Sequence, residues 1–169
     1  MRNRLWIAAF AMVATGAGAA TAADIATLER QLEEARNAAP LTVEPFFAVK
    51  EPAKYFGNYE PRANMVYRSG EAMHFYAEPK NLVFPKDARG VYRPAFGVDL
   101  EVTAADGKSM KKANFVTVKL DTRSRIQDLY LNLEVSLTSA PPGKYNVKFV
   151  IHDHNSKKTA EFAKDVTLK

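Results

Sequence analysis

The fold is decided by residues 140–151, Ala140-Pro141-Pro142-Gly143-Lys144-Tyr145 followed directly by Asn146-Val147-Lys148-Phe149-Val150-Ile151. Two prolines and a glycine favour a rigid turn. The residues after the turn alternate, because side chains on a strand point to opposite faces in turn. One face then carries Tyr145, Val147, Phe149 and Ile151. A Tyr at the start of such a strand can bond main chain a few residues upstream, which predicts a β-sandwich with Tyr145 as its structural corner.

The rest of the chain after residue 40 supports this fold class. From Leu41 onward, short alternating segments are separated by Gly, Pro, Asn and Asp, which is typical of an all-β domain over residues 41–169. Asp106-Gly107 predicts a hairpin, and Pro45 favours an edge or bulged first strand. We expect about seven strands, drawn from the segments 42–50, 64–67, 73–78, 98–104, 113–120, 129–137, 145–152 and 162–168.

The first residues have the pattern of a secretory signal peptide. Two arginines precede an apolar run over residues 5–13, and small residues then continue to Ala23. Ala20-Thr21-Ala22 supplies a cleavage pattern, so residues 1–23 are predicted to be removed after Ala22 or Ala23. The apolar run is shorter than the roughly 20 residues that span a membrane. The sequence therefore predicts a periplasmic or secreted protein, with an uncleaved signal anchor as the alternative.

Composition excludes several function classes. The chain has no Cys, which rules out disulfides, zinc–cysteine sites and thiol catalysis. The formal charge of +5 includes Arg2 and Arg4, so the mature protein carries +3. That charge is too small and too dispersed to predict nucleic-acid binding. The mature chain of roughly 147 residues is long enough for one self-sufficient core.

Residues 24–40 predict a short amphipathic helix and a linker before the β domain. Asp24 is a good N-cap residue and Pro40 ends the helical pattern. Apolar residues fall near one face at positions 25, 28, 32 and 35. A helix of about 15 residues is marginal alone, so it either leads into the domain or docks on a partner. We expect a monomer, or a weak oligomer formed through this helix.

The motif around Pro141-Pro142-Gly143-Lys144-Tyr145-Asn146-Val147 resembles the tyrosine corner of fibronectin type III and immunoglobulin-like domains. The run from Tyr59-Glu60-Pro61-Arg62 through Gly70-Glu71 to Tyr76-Ala77-Glu78-Pro79 is similar to exported bacterial proteins of unknown function that carry such a sandwich. The resemblance implies an antiparallel sandwich of about seven strands after a short helix, and it implies no activity. Antibody-type domains differ by having core cysteines, which this chain lacks.

An unusually aromatic connection supplies the candidate contact surface. Tyr55-Phe56-Gly57-Asn58-Tyr59 is followed by Arg62 and Tyr67. Aromatic and Arg side chains dominate protein interfaces, and aromatic rings also stack on sugars. The predicted binding residues are Tyr55, Phe56, Tyr59, Arg62 and Tyr67. The alternative is that the connection folds back and packs against one end of the sandwich. The expected partner is a protein or an envelope polysaccharide.

His152 and His154 supply the alternative function, a periplasmic Zn- or Cu-binding or carrier protein. Residues two apart on a strand share a face, so both imidazoles could reach one ion. A polar turn explains the same residues, and two ligands fall short of the usual three or four. No Ser lies in a recognisable nucleophile turn. We therefore expect a protein that is not an enzyme and needs no cofactor.

Overall fold

The computed structural model describes residues 24–169, so the predicted signal peptide and both cleavage positions lie outside the described residues. One helix and eight strands form in this region, and most of the chain after residue 41 is β-structure. The elements are α1 (Ile25–Ala38), β1 (Thr42–Val49), β2 (Val66–Tyr67), β3 (Met73–Lys80), β4 (Ala95–Ala104), β5 (Ser109–Lys119), β6 (Leu131–Val135), β7 (Gly143–Asp153) and β8 (Thr159–Leu168). The predicted all-β class is confirmed.

The strands form two sheets. A three-stranded sheet has the order β1-β3-β6, and a five-stranded sheet has the order β2-β8-β7-β4-β5. All pairs are antiparallel except β2, which lies parallel to β8. This parallel pair departs from the fully antiparallel expectation. It is short because β2 contributes only Val66 and Tyr67 to the ladder.

The larger of two hydrophobic clusters lies between the two sheets. The ring of Phe75 on β3 meets the ring of Phe149 on β7 with centroids 5.5 Å apart. Phe46 on β1 meets Phe162 on β8 at 4.9 Å. The predicted inward face of β7 is confirmed, since its four residues are all at most 8 % exposed. Aromatic packing therefore joins the sheets directly.

The predicted tyrosine bond is present at the start of β7. The Tyr145 hydroxyl donates to the carbonyl oxygen of Pro141 at 2.7 Å. Tyr145 is 8 % exposed, so its ring packs in the core while its hydroxyl holds the preceding turn. A hydrogen bond in this setting contributes about 1 kcal/mol to stability.

Two prolines lie in the three-stranded sheet, Pro45 in β1 and Pro79 in β3. β1 is an edge strand with a bulge between Val43 and Phe46, next to Pro45, as expected. Pro79 was expected to end β3, but the strand continues to Lys80. The pairing of β3 with β6 stops at Ala77, so Pro79 has a neighbour on one side only. A missing N–H donor is tolerated at such a position.

Helix α1 forms where the sequence predicts it. The Asp24 carboxylate accepts hydrogen bonds from the Thr27 N–H at 3.1 Å and from the Thr27 hydroxyl at 3.0 Å. Arg30 and Glu34 form the expected ion pair at 2.7 Å. No residue of the helix is buried, and Ile25 and Leu28 are more than half exposed. Its apolar face is therefore not covered by the domain.

Candidate contact surface

The central strand of the three-stranded sheet is buried on both faces. Side chains alternate along β3, so that Phe75 lies on the inner face and Tyr76 on the outer face. In the structure Tyr76 is 0 % exposed and Glu78 is 6 % exposed, although both lie on the outer face. The cover is the connection after β1, residues 50–61, which we call the aromatic loop. It lies across the outer face of the sheet.

Sheet side chains fix the backbone of the aromatic loop. Asn132 on β6 accepts from the Ala53 N–H at 2.9 Å and donates to the Ala53 carbonyl at 2.8 Å. The Tyr76 hydroxyl accepts from the Gly57 N–H at 2.8 Å. The Tyr130 hydroxyl donates to the Lys54 carbonyl at 3.3 Å. Four hydrogen bonds therefore fix the loop backbone at three residues, Ala53, Lys54 and Gly57.

The Tyr76 hydroxyl is the centre of this network. It also donates to Glu78 Oε1 at 2.8 Å, while Lys80 Nζ donates to Glu78 Oε2 at 2.6 Å. Burial raises the pKa of Tyr76 to about 12, and the hydrogen bond to the Glu78 carboxylate adds to the rise. The hydroxyl therefore stays protonated at neutral pH and keeps both bonds. Its role here is structural.

Aromatic stacking adds to these hydrogen bonds. The Tyr59 ring lies on the Tyr76 ring with centroids 4.4 Å apart, and Tyr130 stacks on Tyr76 at 5.6 Å. Phe47 packs on Tyr59 at 5.3 Å, and Phe56 meets Tyr130 at 6.5 Å. Such pairs contribute about 0.5 to 1.5 kcal/mol each beyond the area that they bury. The loop is therefore packed on one side and open to solvent on the other.

The open side of the loop presents apolar rings. Tyr55 is 69 % exposed, and Phe56 and Phe47 are each 37 % exposed. Lys80 Nζ lies 5.5 Å from the centre of the Phe56 ring and adds a cation beside it. Phe47 and Tyr130 were missed by sequence reasoning. They lie in or beside strands, where an aromatic residue normally indicates packing rather than a contact surface.

The remaining two predicted binding residues lie elsewhere. Tyr67 is 1 % exposed, and its ring is covered by the Arg62 guanidinium, 4.1 Å from the ring centre. Arg62 also pairs with Glu71 at 2.9 Å. The structure thus separates the five predicted residues. Tyr55 and Phe56 are displayed, Tyr59 is half-buried, and Arg62 and Tyr67 pack on each other.

The two histidines meet protein partners on the five-stranded sheet. His152 Nε2 lies 3.0 Å from Asp99 Oδ2, and Asp99 Oδ1 accepts from the Asn114 N–H at 2.7 Å. The His154 ring lies against Gly97, where an added Cβ would come within 3.1 Å of its Nε2. Within residues 24–169, no group of three or more His, Asp or Glu is placed to hold a metal ion. The metal hypothesis stays a prediction resting on two ligands.

No protein-family model matches this chain, and no curated protein matches it significantly. Within the part of the chain that the structure describes, no helix is long and apolar enough to cross a membrane. The function must therefore be argued from the residues themselves. Among the arrangements described above, the aromatic loop is the one that best fits a contact surface.

Proposed function

We propose that this chain is a non-enzymatic, exported β-sandwich of the fibronectin type III or immunoglobulin-like type that binds a protein partner through its aromatic loop. The signal-peptide pattern of residues 1–23 supports export to the periplasm or beyond. Two packed sheets and the Tyr145 bond to Pro141 support the sandwich type. Envelope polysaccharide is the alternative partner.

One observation carries the proposal: the exposed rings of the aromatic loop belong to a segment whose backbone is hydrogen-bonded to side chains of the sheet. Tyr55 and Phe56 lie between Ala53 and Gly57, whose backbone groups bond Asn132 and Tyr76. Ordering a mobile loop would cost binding free energy, and this loop is ordered beforehand. Rigid aromatic side chains supply large contact area at low entropic cost. The arrangement is that of a preformed binding surface.

The polar groups beneath the loop support a binding role rather than a chemical one. Both oxygens of Glu78 are engaged, one by Tyr76 and one by Lys80. Burial moves the pKa of the Tyr76 hydroxyl, already above neutral pH, further upward to about 12. A general acid or base needs a pKa near the working pH and access to a substrate. These groups instead hold the displayed rings in place.

The test uses the mature chain from Asp24 as bait in an envelope extract of the producing cell, with mass spectrometry of the captured proteins. The loop variant is Tyr55→Ala with Phe56→Ala. The matched control is Met110→Ala with Leu120→Ala, which removes two exposed apolar side chains outside the loop. Tyr59 is left unchanged because its stack on Tyr76 supports the loop.

A partner captured by the parent chain and the control, and lost by a folded loop variant, supports the proposal. Capture that survives in the loop variant would refute it, as would no capture at all. The same three chains applied to immobilised envelope polysaccharide test the alternative. Loop-dependent retention there, without protein capture, assigns the surface to sugar.

A further inference from the structure

A concave region lies between helix α1 and the β domain, away from the aromatic loop. Its walls are α1 on one side and residues 83–86 and 123–127 on the other, with Tyr92 also contributing. We call it the α1 groove. Its volume is about 710 Å³. Pockets for small molecules occupy about 300 to 1,000 Å³, so the groove has the capacity for one.

Polar contacts set the width of the α1 groove. Arg125 Nε pairs with Glu33 Oε2 at 2.5 Å, and the Arg125 guanidinium lies 4.4 Å from the centre of the Phe84 ring. Lys158 Nζ donates to the carbonyl oxygen of Arg36 at 3.0 Å. These contacts come from separate parts of the chain. The helix therefore has a defined position over the groove.

The groove concentrates the positive charge of the protein. The cations that line it are Arg30, Arg36, Lys86, Arg123 and Arg125, and the carboxylates are Glu29 and Glu33. Five cations against two carboxylates leave a net charge of +3. Residues 24–169 contain 22 Lys and Arg and 19 Asp and Glu, since the chain totals of 24 and 19 include Arg2 and Arg4. The groove lining is therefore locally positive, although Arg30 also pairs with Glu34, which lies outside the lining.

Two of these cations are available to a ligand. Within residues 24–169, no carboxylate lies within ion-pairing distance of Lys86 or Arg123. Arg123 is exposed, and Lys86 lies with Nζ 5.1 Å from the centre of the Tyr92 ring. The guanidinium group matches a carboxylate with two parallel hydrogen bonds. The apolar side chains that the groove exposes beside these cations are Leu32 and Pro85, with the half-buried ring of Tyr92.

We propose that the α1 groove binds a small organic anion, in which a carboxylate meets Arg123 and Lys86 and an apolar body lies along Leu32, Pro85 and Tyr92. The free cations supply the attraction for the anionic end. The apolar side chains supply the area that favours a hydrophobic body over a simple inorganic ion. This site shares no residue with the aromatic loop, so it is independent of the proposed protein contact.

The test uses 2-naphthoate as the probe and 2-naphthamide as its neutral isostere, titrated into the isotopically labelled mature chain by NMR. Saturable 2-naphthoate binding is expected to shift amides in α1 and in residues 83–86 and 123–127. The groove variant is Lys86→Gln with Arg123→Gln, both exposed residues. The control is Lys112→Gln with Lys144→Gln, which removes the same charge outside the groove.

Loss of a charge-assisted hydrogen bond is expected to weaken 2-naphthoate binding by about tenfold or more in the groove variant. The control is expected to bind like the parent chain, and 2-naphthamide is expected to bind at least about tenfold more weakly. Equal binding of the two probes would overturn the proposal. The proposal would also be overturned if the control weakened binding equally, if the amide shifts were confined to other regions, or if no saturable binding were seen.

Discussion

The aromatic loop and helix α1 both lie outside the two sheets, yet different forces hold them. The loop is held by two side chains of the sheet: Asn132 accepts a hydrogen bond from the Ala53 N–H, and the Tyr76 hydroxyl accepts one from the Gly57 N–H. The helix has no buried residue. It is held by the Glu33–Arg125 pair and by hydrogen bonds that join Arg36 to Gln127 and to Lys158. The loop without regular structure is thus the better-anchored element. Secondary structure alone is a poor guide to how firmly a segment is held.

The physical reason is the depth of the contacts. The loop contacts converge on Tyr76, which is 0 % exposed, and hydrogen bonds and stacked rings are stronger where water competes less for the partners. Helix α1 has no buried residue, so only polar contacts, such as the partly buried Glu33–Arg125 pair, connect it to the domain. A regular helix satisfies its own backbone and needs no help from the domain, whereas a loop needs partners for its N–H and C=O groups. The sheet supplies those partners.

The largest effect is expected from removing the ring under the loop. Tyr76→Ala deletes a fully buried aromatic side chain together with the hydrogen bonds to Gly57 and Glu78. The expected loss is about 3 to 5 kcal/mol in the free energy of unfolding, measured by urea denaturation. A loss below about 1 kcal/mol would show that the loop is not integral to the fold.

A smaller and more local effect is expected from Asn132→Ala. The change removes both hydrogen bonds to Ala53, at a cost of about 2 kcal/mol. Hydrogen exchange at the Ala53 amide should accelerate more than global unfolding explains. Tyr145→Phe is the matched control, because it removes one hydrogen bond to Pro141 at a cost of about 1 to 3 kcal/mol without touching the loop. If Ala53 exchanged equally fast in both variants, the loop would have no separate anchor.

Salt should distinguish the two regions. About 1 M NaCl shortens the screening length to about 3 Å, which weakens the exposed Arg30–Glu34 pair within the helix and, to a smaller extent, the partly buried Glu33–Arg125 pair. Amides of α1 should then exchange faster, because a released helix of 14 residues is marginal in water. The amides of Ala53 and Gly57 should change little. Parallel acceleration in both regions would contradict the distinction.

The smallest expected effect is the acid sensitivity of the helix cap. Hydrogen bonds from Thr27, first from its N–H and then from its hydroxyl, lower the pKa of Asp24 below its ordinary value of 3.8. The cap contribution is therefore complete above that ordinary value and is lost as the pH falls through the lowered pKa. The Thr27 amide shift should report this in an acid titration by NMR. Asp24→Asn keeps a good N-cap and should abolish that transition; its persistence would assign the transition to another group.

Local pattern was sufficient for much of the fold. The alternation along β7, the hairpin at Asp106-Gly107 and the capped helix before Pro40 were predicted and are confirmed, whereas β6 is shorter than the predicted segment 129–137. Each depends on residues within a few positions of one another, where strand or helix geometry decides which side chains share a face. The Tyr145 bond to Pro141 spans only four positions and was predictable for the same reason.

The candidate site was predicted only in outline. The aromatic residues of the loop indicated packing or binding, and the structure has one ring packed, with Tyr59 on Tyr76, and another exposed, at Tyr55. Tyr67 was predicted as a contact residue and lies in the core. An aromatic side chain looks the same in sequence whether it packs inward or outward. Its orientation is fixed by the neighbours that the fold brings to it.

By itself, the sequence determined the all-β class, the tyrosine bond and the capped helix, because these follow from backbone geometry and from neighbours close along the chain. Only the tertiary structure decided that residues 50–61 cover the outer face of the three-stranded sheet. Their anchor, Asn132, lies 79 positions from Ala53. A contact over that distance forms because the sheet brings both groups together, and no local pattern of residues encodes it.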